Sequence, residues 1–483
     1  MRLLAVIFGL LALIFGAIAA VFGGIWALLF FTPIFLVLFV VRDYRIGVVL
    51  LMILTAFQST PFLPHFSGFN IVNYLTAGTL GSLLLAIGFQ RIHVAPFPRF
   101  IVWSYLIPVT FAAIHGVPHL DEMTPYLVHM MSGGYKNAFK YIGNFLIKPL
   151  FLLLLSWMLG TALLNSQRRE RFLAVFVVAS WLPALAVLFY VALNGFSLTV
   201  LSSPQGRAIL LALGIFSNSL GVLMSSSLAV LLFMLPQVKG WARASIAISL
   251  GVVGTAIILT FSRGSYLMVA TAVTYFLIRN RQVKTSLLIL ALMTAVMLPF
   301  GHAIWHRVTR GVSSAASRSS VSSEAQLTSG RIYIWRKIMP EIVRHPLIGS
   351  GIGATAWSSA ALSGEINVNN PQNLYLAMLM DTGIIGTVLI LTFYWRVLGI
   401  YKRLADSRSI PPLFAAAFRG AWIGFIGFML SGVAYNSYMT TPTQTYLWIM
   451  FGMALAFLRD VPATREVAEG PSNVKVGLSS AQA

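Results

Sequence analysis

Cysteine is absent from the 483 residues, which excludes disulfides, thiolate metal sites and cysteine nucleophiles together. Charge is scarce: 9% of the residues are charged, against about 25% in an ordinary soluble domain. Only 12 residues are acidic, and no close acidic pair has metal-ligand spacing, which disfavours Mg²⁺ or Ca²⁺ dependence. What is abundant is apolar surface, at 58% of the residues. A soluble core could not hide that much, so lipid is the expected solvent for most of the chain. The formal charge of +21 suggests a nucleic-acid binder, but the basic residues sit in short clusters between apolar runs. That is the pattern of topology signals rather than of a basic groove, so no nucleic-acid partner is expected.

Apolar runs able to cross roughly 30 Å of hydrocarbon fall near 3–22, 25–41, 46–63, 70–89, 99–115, 141–164, 171–193, 215–235, 241–261, 264–279, 284–300, 375–399, 413–434 and 444–458. The first reads as an uncleaved span, because no cleavage site with a polar sequel separates it from the apolar stretch Ile25 to Val41. With the N-terminus inside, alternate loops carry Arg42/Arg45, Arg91/Arg99, Arg168/Arg169/Arg171, Lys239/Arg243, Arg279/Arg281/Lys284, Arg396/Lys402/Arg403/Arg408 and Arg459. All are then cytoplasmic, as the positive-inside tendency requires. The expectation is an all-α polytopic membrane protein of about 14 transmembrane helices, with both termini cytoplasmic. Helices 1–11 occupy 1–300, a large loop outside the cytoplasm, containing helices, occupies 301–374, helices 12–14 occupy 375–458, and a disordered tail occupies 459–483.

Twelve basic residues fall on the outer side, where topology does not need them: Lys136, Lys140, Lys148, Arg207, Arg263, Arg307, Arg310, Arg318, Arg331, Arg336, Lys337 and Arg344. Most lie in the long loop. Gly311 to Ser329 is serine-rich, a mobile lid or linker. From Gly330, Ile332, Trp335, Ile338 and Ile342 show helical spacing that Pro346 ends, before the glycine-rich turn Gly349-Ser-Gly-Ile-Gly353.

An arginine at the end of an apolar segment is costly and is a functional candidate by default. Arg263, in Thr260-Phe-Ser-Arg-Gly264, either snorkels to the interface or contacts phosphate, which guanidinium binds bidentately at any physiological pH. The outer histidines include two pairs spaced by four, His115/His119 and His302/His306. Neither pair has a third ligand, so no metal site is assigned and no cofactor is expected. Any of these histidines, or His345, suits a general base near neutral pH. Asn367-Val-Asn-Asn-Pro-Gln-Asn-Leu-Tyr375 opens the twelfth span and is dense in amides. Amides suit sugar hydroxyls, which need donors and acceptors; equally, Asn370 ahead of Pro371 suits a helix cap. Asn218 and Asn436 are similar polar insertions near the outer surface.

Arg331-Ile-Tyr-Ile-Trp335, His345-Pro-Leu-Ile-Gly-Ser-Gly-Ile-Gly353, Gln372-Asn373 and Gly383-Ile-Ile-Gly386 together resemble the O-antigen ligase and Wzy-type polymerase superfamily. Ser262-Arg263-Gly264 and Phe216-Ser-Asn218 look like its upstream signatures, and the resemblance covers roughly Gly206 to Phe457. It implies a metal-independent glycosyltransferase of a bacterial inner membrane, its 301–374 loop and active site periplasmic, whose donor is an undecaprenyl-pyrophosphate-linked oligosaccharide, with membrane lipid, a chain-length regulator and a flippase as partners. Arg263 and Arg331 match arginines that hold the pyrophosphate. Gln372 and His345 complete the candidate catalytic set, and Arg207, Asn218, Arg336, Asn370, Asn373 and Tyr375 are candidates for substrate binding. The ligases place a histidine where this chain has Gln372, and glutamine cannot accept a proton. That departure favours polymerisation of repeat units into exopolysaccharide or O-antigen. A ligase acting on lipid A core or another acceptor is the nearest alternative. A lipid-linked oligosaccharide flippase is a third, although no repeated halves are visible.

Overall fold

The computed structural model describes residues 40, 42–58, 65–66, 69–90, 92–123, 137–203, 206–279, 287, 291, 301, 330–366, 368–434 and 438–461. The expected span 3–22, the spans 25–41 and 284–300 apart from residues 40, 287 and 291, the serine-rich stretch 311–329, Asn436 and most of the tail lie outside them.

The protein is an all-α polytopic membrane protein. The helices are α1 (Tyr44–Phe57), α2 (Ile71–Gln90), α3 (Arg99–Glu122), α4 (Ala138–Leu164), α5 (Glu170–Leu193), α6 (Ser217–Gln237), α7 (Gly240–Leu259), α8 (Arg263–Arg279), α9 (Arg331–Arg344), α10 (Leu374–Asp406), α11 (Pro412–Ala434) and α12 (Thr445–Phe457). Among the described residues, eight are long and apolar enough to cross a membrane, α2 to α7 with α10 and α11. The other apolar runs form the shorter helices α1, α8 and α12. One two-residue antiparallel pair, His65–Phe66 with Phe69–Asn70, precedes α2.

Helices α6 and α12 are buried on nearly every face. A helix apolar all round belongs at the centre of an array, and α6 is packed by α7, α8 and α11 while α12 lies along α4. Close approach there depends on small residues. A Cβ on Gly420 would sit 2.6 Å from the Ala229 carbonyl oxygen of α6, and one on Gly452 2.6 Å from the Ser156 carbonyl oxygen of α4.

Polar contacts gather the helix ends into two groups, as alternating charge clusters require. At one end Arg45 pairs with Asp43 (2.8 Å) and donates to the Asn165 carbonyl (3.2 Å). At the same end Arg169 pairs with Asp460 (3.7 Å) and Arg419 with Asp406 (3.0 Å). At the other end lie the glycine-rich turn, the start of α10 and the end of α11.

Helix α10 is broken at Gly383, with φ 63° and ψ −170°, a combination open to little but glycine. The break would leave the Met380 and Asp381 carbonyls and the Ile384 and Ile385 amides without their helical partners. The turn after α9 replaces both bonds. Ile384 N–H donates to the Pro346 carbonyl (2.8 Å) and Ile385 N–H to the Leu347 carbonyl (3.2 Å). In return Ser350 N–H donates to Met380 (2.9 Å) and Gly351 N–H to Asp381 (3.1 Å). The insertion needs bare backbone on each side: a Cβ on Gly383 would sit 2.3 Å from the Leu347 carbonyl carbon, and one on Gly349 2.6 Å from Asp381 C.

Gly383→Ala should therefore destabilise the protein by at least about 2 kcal/mol, combining a disallowed backbone with a steric clash. Thermal unfolding in detergent measures this, and an unchanged transition temperature would contradict the insertion.

Candidate active site

Helix α9 runs over the segment that leads into α10, and four of its side chains hold that segment in place. Trp335 donates from Nε1 to the Pro371 carbonyl (2.9 Å), and the Tyr333 hydroxyl donates to the Glu365 carbonyl (3.4 Å). Lys337 pairs with the Glu365 carboxylate at 2.6 Å, a hydrogen bond that raises its pKa above the ordinary lysine value. Arg331 donates from Nε to Gln372 Oε1 (3.2 Å) and from Nη2 to the Ala434 carbonyl (3.3 Å) at the end of α11. The inward seam is Ile334 and Ile338, with Ile332, Trp335 and Ile342 half-buried beside it, so the expected stripe is shifted by the addition of Ile334.

Gln372 carries φ 51°, a left-handed backbone that costs a non-glycine residue about 1 kcal/mol or more. Two neighbours support it: Asn370 Oδ1 accepts from Gln372 N–H (3.1 Å), and Pro371 is held by Trp335. The expected helix cap at Asn370 is corrected to Asn373, whose Oδ1 accepts from the amides of Tyr375 (2.9 Å) and Leu376 (3.1 Å). Asn370 is spent on the turn because α10 begins at Leu374, three residues beyond Pro371.

Arg263 and Arg331 lie at the same end of α11. Arg263 begins α8, whose Gly264 lies against Ser431 (3.6 Å from a Cβ built on Gly264), and Arg331 reaches Ala434. The single 3₁₀ turn Gly432–Ala434 separates those two anchors. Asn218 is half-buried at the start of α6, three residues before Gly221, which abuts Ser265 and Thr260. It therefore shares a helix face that points toward the Arg263 turn. The Tyr375 hydroxyl donates to the Met429 carbonyl (2.7 Å), which joins α10 to α11 beneath the site.

Other candidates stand apart. Arg336 projects on the exposed face of α9. Arg207 lies in the short helix Gly206–Ile209, and its side chain falls outside the described residues. His345 caps the far end of α9, about 20 Å from Arg331 by helical rise, 3.9 Å from Glu341 and within electrostatic range of His115. The fold does not bring His345 to the arginines. His119, stacked on Trp357 at 5.5 Å, belongs to that second group.

One residue carries a role that motif reading did not assign. Asp381 is buried in α10, and its Oδ1 accepts from Gly353 N–H (3.1 Å) and Ala354 N–H (3.2 Å) while its Oδ2 accepts from the Tyr438 hydroxyl (3.0 Å). Burial, with Asp381 beside it, raises the Tyr438 pKa well above the ordinary phenol value, so the hydroxyl remains the donor. Asp381 thereby ties the glycine-rich turn to Tyr438, beyond the end of α11. A lone acid within an apolar run was the available signal.

Residues 244–391 match the model of the O-antigen ligase family, and the resemblance carried by the motifs is shown over that stretch. It contains Arg263, Arg331, Gln372 and Gly383. Among curated relatives, a polysaccharide ligase of Rickettsia felis is 25% identical over 27% of this chain and 33% of its own length. One from Rickettsia conorii is 23% identical over 27% of this chain and 32% of its own length. An O-antigen polymerase of Salmonella muenchen is 29% identical over 40% of this chain and 48% of its own length. The chain thus spans a third to about half of these relatives.

Gln372→Gly removes the amide and the backbone strain together, whereas Gln372→Ala removes the amide alone. The glycine variant should keep thermal stability within about 1 kcal/mol of the parent, and the alanine variant should lose more. Paired melting curves check this; a glycine variant less stable than the alanine variant would contradict the strained conformation.

Proposed function

We propose that the protein is an inner-membrane glycosyltransferase that polymerises polyprenyl-pyrophosphate-linked oligosaccharide repeats into exopolysaccharide or O-antigen at the periplasmic face. The observation that carries the reading is the convergence of Arg263 and Arg331 on the end of α11, with Gln372 orienting the second guanidinium. Transfer breaks the bond between the anomeric carbon and the pyrophosphate oxygen while an acceptor hydroxyl bonds to that carbon, and the hydroxyl proton leaves to the departing pyrophosphate or to water. The leaving pyrophosphate gains charge as the bond breaks, and paired guanidinium groups stabilise that charge more than the ground state.

Gln372 binds and orients in this scheme; it takes no proton. The half-buried amides Asn218 and Asn370 border the site and suit sugar hydroxyls. Placing the arginines outside follows from the cation count, which assigns the opposite helix ends to the cytoplasm. Fourteen spans, cytoplasmic termini and a loop from 301 to 374 complete the proposed topology. A flippase delivering donor and a chain-length regulator are the partners such a reaction needs. The ligase reading stands second, favoured by the matched O-antigen ligase family and by the similarity to the Rickettsia polysaccharide ligases.

Arg263→Ala and Arg331→Ala should each abolish long-chain product while lipid-linked repeats still accumulate on the outer leaflet, and Gln372→Ala should lower chain length less severely. Gel analysis of glycan ladders measures all three; unchanged ladders in both arginine variants would remove the pyrophosphate clamp. In proteoliposomes supplied with donor alone, ladder formation supports a polymerase, whereas dependence on added lipid A core supports a ligase.

A further inference from the structure

The turn after α9 leaves two large apolar side chains uncovered. Leu347 is 60% and Ile348 43% exposed. They sit between two helices whose outer faces are also apolar and exposed. On α3 that face is Trp103, Ile107, Phe111 and Ile114, spaced by four, four and three, as on one side of a helix. On α10 it is Ile384, Ile385 and Val388, immediately beyond the break. The turn is bonded to both helices, through Ile352 N–H to the Ala112 carbonyl (3.1 Å) and Ile385 N–H to the Leu347 carbonyl (3.2 Å). Met339 and Val343, one turn apart on α9, are exposed as well and lead toward Leu347. In water a contiguous patch of this kind is a liability.

A second observation concerns the backbone. Non-helical chain at membrane depth is tolerated only where its polar groups are satisfied within the protein. Gly349 N–H donates to the His345 carbonyl (3.1 Å), and the next three amides donate to Met380, Asp381 and Ala112. Gly353 and Ala354 donate to the Asp381 carboxylate, and the carbonyls of Pro346 and Leu347 accept from α10. Every amide from Gly349 to Ala354 therefore has an acceptor. The amides of Leu347 and Ile348, at the tip, make no such bond among the described residues, so it is the base of the turn whose backbone is satisfied within the protein.

We infer that the turn from Pro346 to Gly353 dips into the apolar part of the leaflet on the arginine side, with Leu347 and Ile348 against bulk lipid acyl chains. Bulk lipid is the occupant because the patch continues the lipid-facing stripes of α3 and α10 without interruption. Arg344 and His345 then mark the rim, their polar ends reaching back to water. This end of the long loop is a membrane-seated element. The inference rests on the chain being a membrane protein and not on the proposed reaction.

The absence of cysteine makes the test direct, since a single introduced thiol is the sole site for a nitroxide label. Leu347→Cys, Ile348→Cys, Ile385→Cys as a lipid reference and Ser363→Cys as an aqueous reference would be labelled in the full chain. Each would be reconstituted in vesicles of equal phosphatidylethanolamine and phosphatidylglycerol. All four positions are exposed or at the surface, so labelling displaces no core packing. The ratio of oxygen to nickel-chelate accessibility at 347 and 348 should match that at 385 and exceed that at 363 several-fold. Ratios equal to that at 363 would overturn the inference, as would shielding from both reagents, which would mean a protein covering. A fall in oxygen accessibility on adding polyprenyl pyrophosphate would overturn bulk lipid as the occupant.

Discussion

The exchange of hydrogen bonds at Gly383 is the constraint on which the rest of the site depends. A helix in lipid cannot be broken without rehousing the polar groups that the break releases. Here two carbonyls and two amides are released, and the turn after α9 offers two amides and two carbonyls at matching positions. The exchange fixes the far end of α9 against α10. Asp381, just before Gly383, then holds the amides of Gly353 and Ala354 and draws Tyr438 onto the same carboxylate. Removing an acceptor that satisfies three buried donors is costly in any apolar surrounding, so the break, the turn and the segment after α11 behave as one unit.

With one end of α9 fixed there, its other end is fixed too. A helix of fourteen residues is rigid over about 20 Å, and Trp335, Tyr333 and Lys337 bind the segment from Glu365 to Pro371 along its length. Arg331 thus arrives beside Gln372 and Ala434 with little freedom left. The strained backbone at Gln372 fits that role. Strain persists where its surroundings over-determine it, and such places are commonly functional. Preorganised cations cost little reorganisation when charge develops on a leaving group, so a braced Arg331 suits the proposed transferase better than a mobile one would.

Much of this was legible before any coordinates. The apolar runs that fall on described residues are helices, and Arg45, Arg169 and Arg419 gather at one end of them. The helical run after Gly330 begins and ends where its spacing and Pro346 place it. Other features were not legible, for specific reasons. Asn370 and Asn373 are equally good caps by residue type, and the choice depends on where α10 meets α11. His345 lies close to Arg331 in sequence order yet a helix length away in space, because α9 runs between them. The pairing of α10 with the turn joins residues some thirty positions apart through backbone atoms, which no side-chain pattern advertises.

Taken by itself, the sequence determined that the protein lives in lipid, and it predicts how its apolar segments alternate and which cations topology does not require. Those properties follow from composition and from the energetics of moving charge across a membrane, which act on each segment separately. Only the tertiary structure decided that Arg263 and Arg331 share one helix end, that Gln372 orients the second of them, and that His345 does not join them. Those outcomes depend on contacts between segments distant in sequence. The break at Gly383 belongs to both accounts: a glycine permits it, and only a neighbouring turn with the right free groups makes it stable.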